Sequence, residues 1–186
     1  MLAAAQAFAE HGYTHASIAR IVGSMELTEG AIYHHFKNKA ELAVAVLEAL
    51  YERWERARQE VTAEAEARDL DGLATIHLLN LTTARLYQKD VIVQASARLR
   101  HEREIIPAEF PTPYVGWFPF LDHHLRRAQD AGLADPDLDR AAAIRIILGS
   151  LMGIQDVSRR TSNYADLAGR IEEWWHLMLL GFSARS

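Results

Sequence analysis

From Asn38 onward the apolar residues Leu42, Val46, Leu50 and Trp54 recur every fourth position, with Ala43, Leu47 and Tyr51 beside them. That spacing lines one face of an α-helix and cannot line one face of a strand, whose side chains repeat every second residue. The pattern continues to about Ala65, and its polar side carries Glu52, Arg53, Glu55, Arg56 and Arg58. It predicts one long helix, with Asn38 as N-cap and Glu41 three residues on as a capping-box variant. Almost every other segment has the same helical period, and none alternates like a strand. The expected fold is all-α, with about nine helices.

Breaks in the pattern set the expected boundaries. Asp69 or Asp71 with Gly72 ends the long helix, 73–89 forms the next, and 91–104 another. Pro107, Pro111 and Pro113 make a loop, because proline lacks the backbone donor and clashes inside a helix. Thr112 is suited to cap the following helix and Pro113 to occupy its first turn. Pro119 either kinks that helix or marks its true start, and Gly132 closes it. Asp135-Pro136-Asp137 opens a segment running from Leu138 to about Arg160, and Asn163 or Asp166 opens the last, to Phe182.

Those last two segments are apolar nearly all round. Ala143, Ile144, Ile147, Leu148, Leu151, Met152, Ile154 and Val157 crowd one; Ile171, Trp174, Trp175, Leu177, Met178 and Leu180 crowd the other. A helix with so little polar surface must be covered nearly everywhere. In a chain of 186 residues this implies a subunit interface, an isologous four-helix bundle of a homodimer. A central core helix is the plainer alternative.

Residues 27–42 bear most directly on function. Thr28 is placed to N-cap a short helix whose next residues include Gly30 and Ala31, small enough for close backbone approach to a surface. Tyr33 and His34 offer donors from its far end, and Ile18, Ile21 and Val22 upstream have the spacing of another short amphipathic helix. Helix, turn, helix is the result, and it points to nucleic acid. The charge runs the other way: the net charge is −5, and within the first 49 residues Arg20, Lys37 and Lys39 face Glu10, Glu26, Glu29, Glu41 and Glu48. The helical pattern of Leu2, Ala5, Phe8 and Ala9 already runs at the first residues, and a basic arm preceding it would repair the balance. With no cysteine, disulfides and thiolate metal sites are excluded. No signal peptide and no uninterrupted apolar stretch of spanning length is evident, so the expectation is a cytoplasmic protein with no membrane partner.

The first 50 residues resemble the DNA-binding domain of the tetracycline-repressor (TetR) family of transcriptional regulators. The matching residues are Ala7-Phe8-Ala9-Glu10-His11-Gly12-Tyr13, Ser17-Ile18-Ala19-Arg20-Ile21-Val22 and 28–41. The remainder is similar to the γ-butyrolactone receptors of actinomycetes in Ala84-Arg85-Leu86, residues 91–99, the proline-rich loop with Trp117 after it, residues 131–139, Gly149 to Gly153, and residues 174–181. Two departures stand out. Met25-Glu26-Leu27 occupies a turn that usually carries glycine, and Glu29 stands where a basic residue is common. A carboxylate there is unfavourable near phosphate but can accept from a cytosine amino group.

The resemblance implies a helix-turn-helix domain over 1–45 and a ligand-binding and dimerisation domain over 46–186. Thr28, Gly30, Ala31, Tyr33 and His34 are expected in or beside the major groove of operator DNA, with Ser17 and Lys39 on phosphates. Tyr33 and Phe36 also read as core residues of the small domain, and for Phe36 that is the expectation. Read by itself, Trp117 is a core or loop-anchoring tryptophan; the resemblance makes it the wall of a hormone pocket. Tyr87, Gln94 and Gln155 are its expected polar partners, and Leu79, Thr82, Thr83 and Ile154 the apolar walls.

His34-His35 and His123-His124 invite a metal, yet neighbouring helical residues point about 100° apart and chelate one ion poorly. No catalytic motif or cofactor site is apparent. The leading expectation is a homodimeric repressor released from its operator by a small autoregulator such as a γ-butyrolactone or furan. The alternatives are a TetR-type regulator of efflux or catabolic genes, and an orphan dimeric binding protein whose head no longer binds DNA.

Overall fold

The computed structural model describes residues 1–23, 36–110 and 116–182. Among them are eight α-helices and one 3-10 turn, and no strand. In chain order they are α1 Leu2–His15, α2 Ile18–Gly23, α3 Lys39–Ala67, α4 Gly72–Lys89, α5 Val91–His101, the 3-10 turn Arg103–Ile105, α6 Trp117–Asp130, α7 Arg140–Ser162 and α8 Leu167–Phe182. The short helix expected after Thr28 lies outside the described residues.

The chain packs as two compact units, Met1–Trp54 with Lys89–Pro113, and Glu55–Gln88 with Tyr114–Ser186. The first therefore includes α5, which a continuous division at residue 45 leaves out. Its core joins Ala4, Ala5 and Phe8 of α1, Leu42, Val46 and Leu47 of α3, and Ile92, Ala95 and Leu99 of α5. Each large side chain there contributes roughly 1.5–3 kcal/mol by leaving water. α3 opens as its sequence dictates: Glu41 N–H donates to Asn38 Oδ1 at 2.9 Å, and Lys37 N–H donates to Glu41 Oε2 at 2.8 Å. Asp90 caps α5 through Ile92 N–H (2.8 Å) and pairs with Arg53 Nε of α3 at 2.6 Å.

In the second unit, Asp69 ends α3 in the left-handed region (φ 51°), and Asp71 Oδ1 caps α4 by accepting from Ala74 N–H at 2.9 Å. Both aspartates of the expected break therefore act. α4 begins with glycine for a steric reason: a Cβ on Gly72 would lie 2.0 Å from the backbone oxygen of His124 in α6. α6 corrects the expectation at its start. It begins at Trp117, with Pro119 inside the first turn, where a missing N–H costs nothing. Pro119 therefore neither kinks the helix nor starts it. α7 begins at Arg140, two residues later than expected, because Asp139 is its cap and accepts from Ala142 N–H at 3.0 Å. Asn163 closes α7 in the left-handed region (φ 51°) and does not open α8; α8 follows Asp166.

α7 and α8 bury one side each, through Ala143, Ile144, Ile147 and Leu151, and through Ile171 and Trp175. Their other sides carry exposed Ile146, Met152, Val157, Leu177 and Leu180. A Cβ added at Gly149, Gly153, Gly169 or Gly181 would meet nothing within 4 Å. By length and composition α7 is apolar enough to cross a membrane, with a mean hydropathy of 1.3, although no such stretch was expected. The apolar face that produces this value is interrupted by charge: Arg145 is exposed, and Asp156 pairs with Arg159 and Arg160.

Candidate DNA-reading head and ligand-binding unit

Thr28, Gly30, Ala31, Tyr33 and His34 lie outside the described residues. Phe36 is half-buried against the core of the first unit, as expected of a packing residue. Ser17 is exposed just before α2, its carbonyl accepting from Ile21 N–H at 3.0 Å.

Lys39 is engaged within the first unit. Its Nζ donates to the carbonyls of Tyr13 (2.6 Å) and Ala16 (2.9 Å), approaches that of Thr14 (3.5 Å), and sits 4.3 Å from the centre of the Tyr13 ring. An ammonium has three hydrogens, and these carbonyls take them. Lys39 thus caps the end of α1, where the helix dipole is negative, and its charge is directed inward and not toward a phosphate.

A second lock holds the same helix. α1 breaks at Gly12 (φ 72°, ψ −179°), a conformation that only glycine adopts without strain. Such a break removes the helical bonds that would join Tyr13 N–H to Ala9 and Thr14 N–H to Glu10. α5 supplies replacements for all four groups. Glu102 Oε2 accepts from Tyr13 N–H (2.8 Å) and Thr14 N–H (3.2 Å), while Arg98 Nη1 donates to the carbonyls of Ala9 (3.1 Å) and Glu10 (3.0 Å). Arg98 and Glu102 also face one another at 3.5 Å. A Cβ at residue 12 would lie 2.0 Å from Glu102 Oε1. The sequence reading passed over Arg98 and Glu102; in sequence their only signal is an Arg–Glu pair four residues apart near a helix end.

In the second unit, Leu79, Thr83 and Tyr87 lie on the buried side of α4, and Thr82 is half-buried. The Thr83 hydroxyl donates to the Leu79 carbonyl at 2.8 Å, and the Tyr87 ring packs 5.3 Å from that of Tyr164. Trp117 is buried on the face of α6 that also carries Leu121, His124, Leu125 and Ala128. Ile154 and Gln155 are half-buried beside the Leu151 stripe of α7. Gln94 lies on α5 and belongs to the first unit.

Two cavities of this unit are walled by described residues, and Trp117 and its expected partners are not in the walls of these two. One of about 690 Å³ lies between the second half of α3 and α6, with Arg58, Thr62, Ala65, Phe120, His124 and Arg127 among its walls. Gly116 accommodates the Arg58 guanidinium, which also pairs with Glu55. The other, about 410 Å³, has Leu73, His77, Glu172 and Trp175 in its walls. There the His77 ring stacks on Trp175, with Nε2 3.0 Å from Glu172.

Among the described residues of the second unit, two fully buried side chains carry polar atoms without a hydrogen-bond partner. His124 is 5 % exposed and its Nδ1 meets no hydrogen-bonding group; burial pushes its pKa down to about 4, helped by the positive charges of His123 and Arg127. Asn80 is 1 % exposed, and neither its Oδ1 nor its Nδ2 has a partner. Asn80 was not among the expected site residues. Its signal was a single amide in the apolar stripe formed by Ile76, Thr83 and Tyr87 at helical spacing.

Comparison with known proteins bears on both units. Residues 1–46 match the model of bacterial regulatory proteins of the tetR family, and residues 70–184 match the tetracyclin repressor-like C-terminal domain. The chain belongs to the TetR family. Among its relatives is the A-factor receptor protein of Streptomyces griseus, 29 % identical over 95 % of this chain. The chain spans 60 % of that receptor's length. A structure solved to give the molecular basis for control of antibiotic production by bacterial hormones superposes with a TM-score of 0.86. It is 36 % identical, over 98 % of this chain and 95 % of that one. A gamma-butyrolactone receptor (ArpA-like protein) superposes with a TM-score of 0.71 at 25 % identity, over 93 % of this chain and 94 % of that one. This TetR-family chain is thus similar to γ-butyrolactone receptors along nearly all of its length. Tyr13, Lys39 and the Gly12 break all fall within the N-terminal family match.

Proposed function

We propose that this TetR-family regulator is a repressor that binds operator DNA as a homodimer and is released by a small, largely apolar autoregulator such as a γ-butyrolactone or furan. Thr28, Gly30, Ala31, Tyr33 and His34 read or approach the major groove, Ser17 meets phosphate, and Lys39 holds the end of α1 in place for them. Trp117, Tyr87, Leu79, Thr82, Thr83, Ile154 and Gln155 surround the ligand. The protein acts in the cytoplasm, without cofactor, metal or catalytic step.

The observation that carries the dimer is the apolar side of α7 and α8. Ile146, Met152, Val157, Leu177 and Leu180 are 46–68 % exposed, too much contiguous apolar surface for a lone subunit. A second copy related by a two-fold axis would cover it and set the spacing of two heads for successive major grooves. The route from ligand to head is supported by the Arg98–Glu102 lock. α4, which carries four of the expected ligand residues, leads directly into α5, and α5 grips α1 through that lock. A ligand that shifts α4 therefore works on the head through α5 as well as through α3.

The experiment is selection of duplexes from a random DNA pool, with sedimentation of the free protein. The expected result is a dimer that enriches a palindrome and whose affinity falls linearly in log–log against salt. Ile146→Asp with Leu177→Asp should give a folded monomer whose affinity for the selected DNA is lower by roughly two orders of magnitude or more, because one half-site is lost. A dimer that enriches no duplex would favour the orphan binding protein.

A further inference from the structure

Burying a polar group without a partner is costly, and a buried amide left with both heteroatoms unpaired is the sort of exception that requires a reason. Among the described residues of the second unit the buried polar side chains are Thr75, Asn80, Thr83, His124 and Ser158. Three of these are accounted for within the chain. Thr75 donates to the Asp71 carbonyl (2.7 Å), Thr83 to the Leu79 carbonyl (2.8 Å) and Ser158 to the Asp166 carboxylate (2.5 Å). His124 lines the cavity between α3 and α6. Asn80 remains, on the side of α4 that carries Ile76, Thr83 and Tyr87, four residues before and three and seven after it.

We propose that the Asn80 amide is the polar anchor of the inducer, Nδ2 donating to a ligand carbonyl and Oδ1 accepting from a ligand hydroxyl. This rests on reading the second unit as the ligand-binding part. It also restricts the ligand. Among the described residues no lysine, arginine, aspartate or glutamate is fully buried in this unit, so beside Asn80 an ionised ligand would meet no fully buried counter-charge. The site takes an uncharged molecule with one carbonyl and one hydroxyl on an apolar frame, and rejects its ionised form.

The test uses the full chain and three probes: an alkyl γ-butyrolactone bearing a free hydroxyl, its deoxy analogue, and the ring-opened hydroxy-carboxylate. Binding is followed by tryptophan fluorescence. Asn80→Leu, which keeps the branching of the side chain and removes both polar atoms, should weaken binding of the hydroxylated lactone on the order of 10-fold or more. Loss of the ligand hydroxyl should weaken binding to the wild type but not further to the variant, the signature of a direct pair. The ring-opened acid should bind neither protein. Equal affinity of wild type and Asn80→Leu for the hydroxylated lactone would overturn the assignment, as would tight binding of the acid. Thermal stability without ligand gives an independent readout. Asn80→Leu removes an unpaired buried amide and should raise Tm by a few degrees, whereas a fall would mean that Asn80 is a satisfied structural residue and would also overturn it. If none of the probes binds the wild type while Tm rises in the variant, the lactone reading of the protein fails and the unpaired amide stands.

Discussion

The two units treat their buried polar groups in opposite ways. In the first, the break at Gly12 releases two N–H groups and two carbonyls, and Glu102 and Arg98 take up all four, while Lys39 covers the end of the same helix. In the second, Asn80 and His124 are buried with atoms that meet nothing, and α7 and α8 leave an apolar side bare. A region with its polar groups paired holds one geometry. A region with unpaired groups and uncovered apolar surface leaves contacts unmade. The difference sets a tightly locked α1–α5 pair against a unit with polar atoms left unpaired.

The most severe way to break this comparison is at Gly12. Gly12→Ala forces a Cβ into Glu102 and an L-residue into a glycine-only conformation, and should cost roughly 3 kcal/mol, lowering Tm by about 6–12 °C. Differential scanning calorimetry checks this; an unchanged Tm would mean that the α1–α5 lock does not hold the first unit.

Lys39→Met sharpens the comparison by keeping the aliphatic stem and removing the charge. Losing hydrogen bonds from an ammonium should cost about 2 kcal/mol in chemical denaturation. Because the ammonium is directed to carbonyls, the salt slope of DNA binding should stay as in the wild type. A slope reduced by about one would return Lys39 to the phosphate backbone.

A pH-dependent effect falls on the second unit. Burial first, and then the positive charges of His123 and Arg127, hold the His124 pKa down to about 4 from the ordinary 6.5. Between those values the unfolded chain binds more protons than the folded one, so stability falls as pH drops from about 6.5 toward about 4 and levels off below. Urea midpoints across that range should show the slope, and His124→Gln should flatten it. An unchanged slope in the variant would remove His124 from the comparison.

Much of the fold was legible because its signals are local. Leu42 to Trp54 at fourfold spacing, the Asn38–Glu41 cap and the Asp71–Gly72 break each act within a few residues, and each stands in the structure as read. The missed features are long-range. That Gly12 would be bridged by residues 89 positions away depends on how α1 meets α5, which no spacing encodes. Lys39 was sent to phosphate because its reach to Tyr13 and Ala16 crosses some 25 residues of chain. Pro119 misled for the opposite reason. Its exclusion from helix interiors holds, but a first turn that begins at Trp117 makes the third position harmless. For the candidate sites, residue types were easier to read than their surroundings: Thr83 and Tyr87 sit on the buried side of α4, yet Asn80 between them gained significance only once its isolation was visible.

If the proposed repressor is correct, ligand binding in the second unit empties the DNA site of the first. Fluorescence anisotropy of a selected palindromic duplex, titrated with the hydroxylated γ-butyrolactone at fixed salt, measures this directly. Release should be complete at saturating lactone with wild-type protein and should need a markedly higher concentration with Asn80→Leu. Duplex that stays bound at lactone concentrations saturating the tryptophan signal would contradict it.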